Sequence, residues 1–592
     1  MKNCNQIGVY LPISEVFPEI QNDFATFQYL LSCLSRTDTL FWCARLNLII
    51  STTENIKAQQ FALQKFFTSE EIAAINDYAR SHGGAENIRV FFRGQLLELF
   101  RWATLFCVDH PEDGNTFEKP QVRRKFAQVA LIASDIWANR TFKGKFSLDD
   151  GIEIGRKRAL GPTMMSIEAT TSMPELTQSL GRGWTLFSDY FPKFYPSFKD
   201  DFFYITGISV EQYFVSFAMM ATNFMNPRMN AGIFDINKIR EHSLNGDVFF
   251  RYFELESRDA DDLKQVLWNN CGSSIKMYED APDDYYRSLR EKPILRTNDG
   301  RGVIFDPVFY SQQASVGPLF HIRRSPNCRG QDAFNAFGQA FEKYTLDILT
   351  RMFASRGNLI NRLVKNVKAL DSQGNSIEAD AILNDVSEIV LFEIKSGFIA
   401  DNVIVHNDYE VLLHTIREKY SINRSSKGGR KLKGVGQLAR IATSLAKGKL
   451  SVDGIDFRGV QLIFPVMVVH DKFLTSPVYG NFFASEFAAH LQPDSTLPNG
   501  MFVKEDKRIA PVIILSVDDL ENLETSIEHF GFRNLLKDYS SACPDRLMSL
   551  NNYIAYSERY RKDMLHNRAL ASKGLEILTK CREDVFGKKF RE

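Results

Sequence analysis

The chain has 592 residues, and Lys+Arg and Asp+Glu each total 72, so its formal net charge is zero. That length exceeds one ordinary core and implies roughly two to four units. The charge balance excludes whole-chain attraction to a polyanion and leaves only local patches for that role.

The eight cysteines form no CxxC pair and no Cys/His cluster of zinc spacing, and scattered thiols in a large chain fit a reducing compartment. The most apolar runs, LFWC and LIFPVMVV, fall short of a membrane span. The opening MKNCNQIGVYLPISEVFPEI lacks the charged start and long apolar core of an export signal. A cytoplasmic protein with no membrane partner is the expectation.

From about residue 20 to residue 270 the pattern predicts successive amphipathic helices, among them NDFATFQYLLSCL, KAQQFALQKFF, IRVFFRGQLLELFRWATLF, VRRKFAQVALIASDIWA, VEQYFVSFAMMATNFM and DADDLKQVLW, with apolar residues recurring at three and four. The 48 phenylalanines fall at helical spacing and read as packing between helices, not as a platform for bases. Residues 1–280 are thus expected to be a mostly α-helical region that senses a trigger or binds a protein partner or DNA. DAPDD at Asp280–Asp284 breaks the pattern and marks a boundary. Ile294–Arg296 and Val303–Phe305 then flank Asn298-Asp299-Gly300, a hairpin turn sequence, read as the entry to the second half.

Across 290–525 the pattern changes to helix (QDAFNAFGQAFEKYTLDILTRMF), strands (LVKNVKAL, EADAIL, EIVLFEIKSG), helix (KGVGQLARIATSLAKG) and strands (GVQLIFPVMVV, PVIILSV). That order predicts an α/β unit with a mixed sheet flanked by helices. Residues 526–592 read as C-terminal helices packing on either half.

Chemistry concentrates in EADAILNDVSEIVLFEIKSG. Side chains alternate along a strand, so Leu391, Glu393 and Lys395 share one face while Phe392 and Ile394 anchor the other. Antiparallel pairing across Asp385–Ser387 brings Asp380 beside Glu393. Two adjacent carboxylates repel unless a cation neutralises them, and Mg²⁺ (or Mn²⁺) accepts such oxygen ligands while keeping several waters. Lys395 would then orient or deprotonate a water or stabilise charge on a reacting phosphate.

Asp380, twelve intervening residues and Glu393-Ile394-Lys395 resemble the PD-(D/E)xK phosphodiesterase superfamily, of restriction-endonuclease-like fold, and LFEIKSG is close in form to Mrr-like and RecB-like nucleases. The helix–strand–strand–strand–helix–strand order over Gln331–Ser516 is similar as well. The resemblance implies Asp380 and Glu393 as metal ligands and Lys395 as the catalytic lysine. Ala379 stands where the family often has proline.

Family members often carry a glutamate on the first helix beside the metal, which the resemblance places at Glu342, one turn after Gly338. The alternative pairs Glu342 with Lys343 or the Arg351 side of the helix surface. Gln437 resembles the glutamine on the helix after the lysine strand; the predicted buried face there is Val435, Leu438, Ile441, Ala442 and Leu445, with Gln437, Arg440, Ser444 and Lys447 on the polar one. Before that helix, NRSSKGGRKLKG offers Arg424, Lys427, Arg430, Lys431 and Lys433 with no acid, a flexible basic loop suited to DNA phosphates, with Arg440 on the adjoining helix.

No GxxxxGK[ST], HExxH or GxSxG motif occurs. His406, His414 and His470 are isolated. The expectation is an Mg²⁺-dependent DNA endonuclease whose architecture resembles bacterial antiviral defence nucleases, working as a homodimer if it cuts both strands. The competing expectation is a catalytically inactive nuclease-fold subunit that binds nucleic acid or assembles with other chains.

Overall fold

The computed structural model describes residues 9–586 apart from 53–54, 85–87, 110–115, 143–151, 171–174, 226–232, 272–285, 298–299, 355–361, 371–375, 386, 401–402, 404–408, 425–429, 451, 453–456 and 565–566. The protein is mixed α/β. Among the described residues no helix is long and apolar enough to cross a membrane. The expected N-terminal helices form, including Phe24–Ser32, Asn55–Phe66, Pro120–Phe142 and Val210–Met225, and Arg36–Thr52 is helical as well. IRVFFRGQLLELFRWATLF is split: Ile88–Arg89 pairs with Val9–Tyr10, and the helix begins at Arg93. That helix, Arg93–Phe106, is buried almost all round, as the central member of a bundle must be. The phenylalanines pack in cores: Phe66 lies 4.9 Å from Phe126 and 5.7 Å from Phe91 between ring centroids.

The hairpin forms, with Ile294–Arg296 antiparallel to Arg301–Ile304 and Gly300 at φ 80°, which a residue with a Cβ resists. Its strands, however, pair on their outer edges with Ile233–Asp235 and Ser257–Asp259. The hairpin therefore completes a four-stranded sheet with the preceding region and does not simply open the next. The Asp280–Asp284 boundary lies outside the described residues.

The second sheet has eight strands. Its centre is β1 (Arg362–Leu370), β2 (Ser376–Asp385), β3 (Glu388–Lys395) and β4 (Leu462–Val469), with β5 (Ile513–Ser516) beside β4. β1, β2 and β3 run antiparallel in sequence, β4 is parallel to β3, and β5 is parallel to β4. One face carries Phe392, Ile394, Val466 and Val468 into a core shared with α2 (Gly330–Met352). The other carries Leu391, Ile382 and Met467 into a core with α3 (Val435–Ala446).

The cores do not follow the three-part division read from the sequence. The core on the α2 side also contains Leu176 to Ala221 from the N-terminal region and Leu520 to Cys581 from the C-terminal helices. α1 (Leu176–Thr185) lies against α5 (Arg568–Phe586) so closely that a Cβ on Gly181 would stand 2.2 Å from the Leu570 carbonyl oxygen. The C-terminal helices thus pack on both halves.

Buried charge ties the same elements together. Arg93 grips Asp306 through Nε at 2.6 Å and Nη2 at 2.9 Å, while Asp306 caps the helix Pro307–Ile322 by accepting the Phe309 N–H at 2.7 Å. Arg182 on α1 sits between Asp518 (2.5 Å) and Glu521 (3.2 Å) of α4 (Val517–Phe530). Gln178 and the Tyr344 hydroxyl of α2 donate to the two oxygens of Glu521 at 2.9 and 2.7 Å.

Removing the guanidinium leaves the buried Glu521 and the partly exposed Asp518 uncompensated, so Arg182→Ala should cost about 3 kcal/mol of stability in urea denaturation. Burial pushes Glu521 up to about 7; Arg182 opposes the rise and Asp518 adds to it. A raised folded-state value gives stability that is complete below the ordinary value of 4.5 and lost as pH climbs through about 7. Glu521→Gln should therefore gain stability relative to the parent chain between acidic and mildly alkaline pH. A constant difference across that range would show that Glu521 is ionised throughout.

Candidate active site

β3 is apolar on both faces except where Glu393 interrupts it, and Ile389 to Ile394 are all buried. Its ladder with β2 runs from Asp385↔Glu388 to Ala381↔Phe392 and stops there. One position further, where Asp380 and Glu393 stand opposite each other, a side chain replaces the ladder: Asp380 Oδ2 accepts the Ile394 backbone N–H at 2.6 Å. The alternation of β2 breaks there, since Ala379 and Ile382 both enter the core with α3 while Ala381 and Leu383 enter the core with α2, and Asp380 turns to the backbone of β3. Phe392 and Ile394 point the opposite way to Glu393, and Phe392 stacks on Phe532 of the helix Phe532–Ala542 at 6.0 Å.

The far end of the hairpin is held by the same helix, through ion pairs of Arg533 with Asp385 and Lys537 with Glu388. The segment after β3 is also fixed. The Tyr420 hydroxyl donates to the Gly397 carbonyl at 2.6 Å, and the His470 N–H donates to the Lys395 carbonyl at 3.1 Å. His470 itself packs on Phe337, Phe341 and Phe398, a structural position.

Glu393 is 0% exposed. Its counter-charge is Lys395, which forms an ion pair with Oε1 and is 24% exposed. Neither Glu393 oxygen accepts a hydrogen bond of ordinary geometry. Burial pushes Glu393 up to about 8; Lys395 pulls it down, and Asp380 and Glu342 raise it again. Asp380 is also raised, by burial first, against the pull of Lys395 and the Ile394 amide. For Lys395 burial works to lower the pKa, but Glu393, Asp380 and Glu342 outweigh it and hold it above its ordinary value. An ammonium held that way suits the stabilisation of negative charge.

Glu342 reaches the cluster from α2, on the other side of the sheet. One turn earlier, a Cβ on Gly338 would stand 3.3 Å from Ser396 Oγ, so the helix runs close over the end of β3. Neither surface partner takes Glu342, because Lys343 pairs with Asp347 at 2.9 Å and Arg351 pairs with Glu524 at 2.5 Å. Glu342 is half-buried, and its pKa is raised by burial and by Asp380, with Lys395 opposing and Glu378 adding. Four carboxylates and one ammonium therefore share one electrostatic environment.

The donor chemistry fits a hard divalent cation: all the candidate ligands are carboxylate oxygens, and Glu393 has Lys395 on Oε1 and no hydrogen-bond donor on Oε2. Among the described residues, no three Asp, Glu, His or Cys side chains already stand around one point as a metal cage. Two carboxylates suffice for an ion that retains most of its waters.

The other sequence-derived residues are distributed differently. Gln437 Oε1 accepts the Gly434 N–H at 3.1 Å and so closes the first turn of α3, which engages its oxygen in a cap. Arg440 is half-buried on α3. Ser444, assigned to the polar face, is buried, while Val435, Leu438, Ile441, Ala442 and Leu445 are buried as expected. The basic loop is anchored as a two-stranded ribbon, Ile422–Arg424 against Arg430–Leu432, with Arg424 paired to Arg430. Lys427 lies outside the described residues. Lys431 is exposed and Lys433 half-buried. Burial lowers the Lys433 pKa first, and Lys395 next, and the Lys433 N–H donates to the Ser421 carbonyl at 2.9 Å.

Sequence reading missed Asn366. It has φ 50° on β1, and the β1–β2 register aligns it with Asp380, between the pairs Lys365↔Ala381 and Val367↔Ala379. Its position depends on pairing and leaves no local signal. No protein-family model matches the chain, and no curated protein and no solved structure matches it either.

Lys395→Met should leave Glu393 buried without a counter-charge and push its pKa higher still. A raised carboxyl loses stability as pH rises, so the variant should be about 3 kcal/mol less stable than the parent above pH ~8 and closer to it at mildly acidic pH. Adding Glu393→Gln should recover most of the loss in thermal unfolding.

Proposed function

We propose that the protein is a divalent-metal-dependent nuclease acting on DNA, built on a restriction-endonuclease-like core. The observation that carries this reading is the opposition of Asp380 and Glu393 where β2 and β3 part, with Lys395 two residues on and paired to Glu393. The order α2, β1, β2, β3, α3, β4, with the helix Tyr409–Tyr420 and the ribbon inserted between β3 and α3, and with three antiparallel strands and a parallel fourth, supports it.

Asp380 and Glu393, with Glu342 from α2, are the residues that would hold Mg²⁺ or Mn²⁺. Bound there, such an ion polarises a phosphate oxygen and lowers the pKa of a water. The chain's own groups do the rest. The backbone N–H of Ile394 fixes Asp380. Lys395 is a preorganised cation for charge developing on the phosphate, in a site whose walls are apolar. Lys431 and Lys433 attract the polynucleotide backbone and carry no base information.

A second reading, a non-catalytic nucleic-acid-binding or assembly subunit, is favoured by one observation: Lys395 already neutralises Glu393, which a scaffold needs as much as an enzyme does.

The variants Asp380→Ala, Glu393→Ala and Lys395→Ala should each lower metal-dependent plasmid cleavage by at least about 100-fold with circular dichroism unchanged; full activity in any one would remove its assigned role. Saturating Mg²⁺ or Mn²⁺ should raise Tm by mass action, and Asp380→Asn or Glu393→Gln should abolish the rise. A metal-indifferent Tm with intact DNA binding supports the second reading. Comparing duplex DNA, single-stranded DNA and RNA as substrates fixes the class.

A further inference from the structure

β1 is the edge of the eight-stranded sheet. Lys368 pairs with Glu378, and Lys365 with Ala381. The β1–β2 register sets Asn366 opposite Asp380, so Lys365 and Lys368 stand on either side of the residue facing the carboxylate that accepts the Ile394 N–H. Adjacent strands lie about 4.8 Å apart, so both lysines lie one strand away from Asp380. Lys365, Asn366 and Lys368 are all exposed, and Val367 between them is buried. Asn366 bends the edge strand in line with Asp380, as distortions beside functional sites do.

On the opposite flank the Lys433 N–H donates to the Ser421 carbonyl at 2.9 Å, and the neighbouring Tyr420 hydroxyl donates to the Gly397 carbonyl at 2.6 Å, so the root of the ribbon stands beside the end of β3 two residues past Lys395. Cations thus flank the acidic cluster on two separate elements, in a chain whose total charge is zero. A small anion reaches only one flank; an extended polyanion reaches both.

We propose that Lys365 and Lys368 form a second phosphate-binding rim, across the carboxylates from the Lys431–Lys433 end of the ribbon, so that a polynucleotide backbone lies between the two. This rests on the nuclease reading and adds substrate-positioning residues to it. Lysines on an edge strand also serve to prevent sheet-to-sheet association, and the test separates the two roles.

The test is fluorescence anisotropy of the full chain with a short labelled DNA duplex in EDTA, titrated over about 50–200 mM salt. The double variant Lys365→Ala/Lys368→Ala should bind more weakly, and its slope of log affinity against log salt should shrink by about 0.9 for each phosphate that the two lysines would neutralise. Lys199→Ala, an exposed lysine on the helix Phe198–Thr206, should leave the slope unchanged. Parent-like affinity and slope in the double variant overturn the rim while leaving the nuclease reading intact, and an equal loss from Lys199→Ala overturns it too. Absence of salt-dependent binding by the parent chain overturns both.

Discussion

Glu393 is carried into the interior by a strand whose neighbouring side chains are apolar, and a carboxylate there is tolerable only with the Lys395 ammonium beside it. Much of the candidate site follows from that constraint. Glu393 and Lys395 share a face because they are two residues apart on a strand. Asp380 joins them because the antiparallel register sets it opposite Glu393, and its carboxylate takes the Ile394 amide that the parted ladder leaves. The resulting cluster raises the pKa of Glu393, Asp380 and Glu342 together, by burial in each case.

The supports of that hairpin come from all parts of the chain. Phe532 stacks on Phe392 behind Glu393, and Arg533 and Lys537 hold the turn. α2, which carries Glu342, is joined through Tyr344 to Glu521, and Glu521 through Arg182 and Gln178 to the N-terminal region. Such buried polar pairings add less net stability than specificity of docking, since they tolerate one arrangement and penalise slippage. The N-terminal region is consequently part of the scaffold of the site, and not an appended module.

The surroundings of the carboxylates are basic on two sides although the chain as a whole is neutral. The ribbon supplies one side. The edge strand supplies the other, with exposed lysines at positions where a solvent-facing strand needs charge in any case.

The sequence by itself determined the strands, the two faces of β3 and the nearness of Asp380 to Glu393 and Lys395, because a period of two and a short turn are local properties, whereas the break of alternation at Asp380, which puts Ala379 and Ile382 on one side, is not. It also identified several of the helices and the paired strands on either side of Asn298–Gly300, whose apolar spacing and φ preferences are equally local. What it could not supply were facts of pairing and docking at long range. Gln437 became a helix cap because Gly434 precedes it in a turn packed on Tyr420. The hairpin joined strands from residues 233–259 because their free edges matched. Glu342 turned towards Asp380 because Lys343 and Arg351 found acids on other turns and another helix. Lys368 and Asn366 lined up with the site only through the register of an edge strand. Each of these depends on which surfaces meet, and that is decided by the burial of whole faces, which no local stretch of residues encodes.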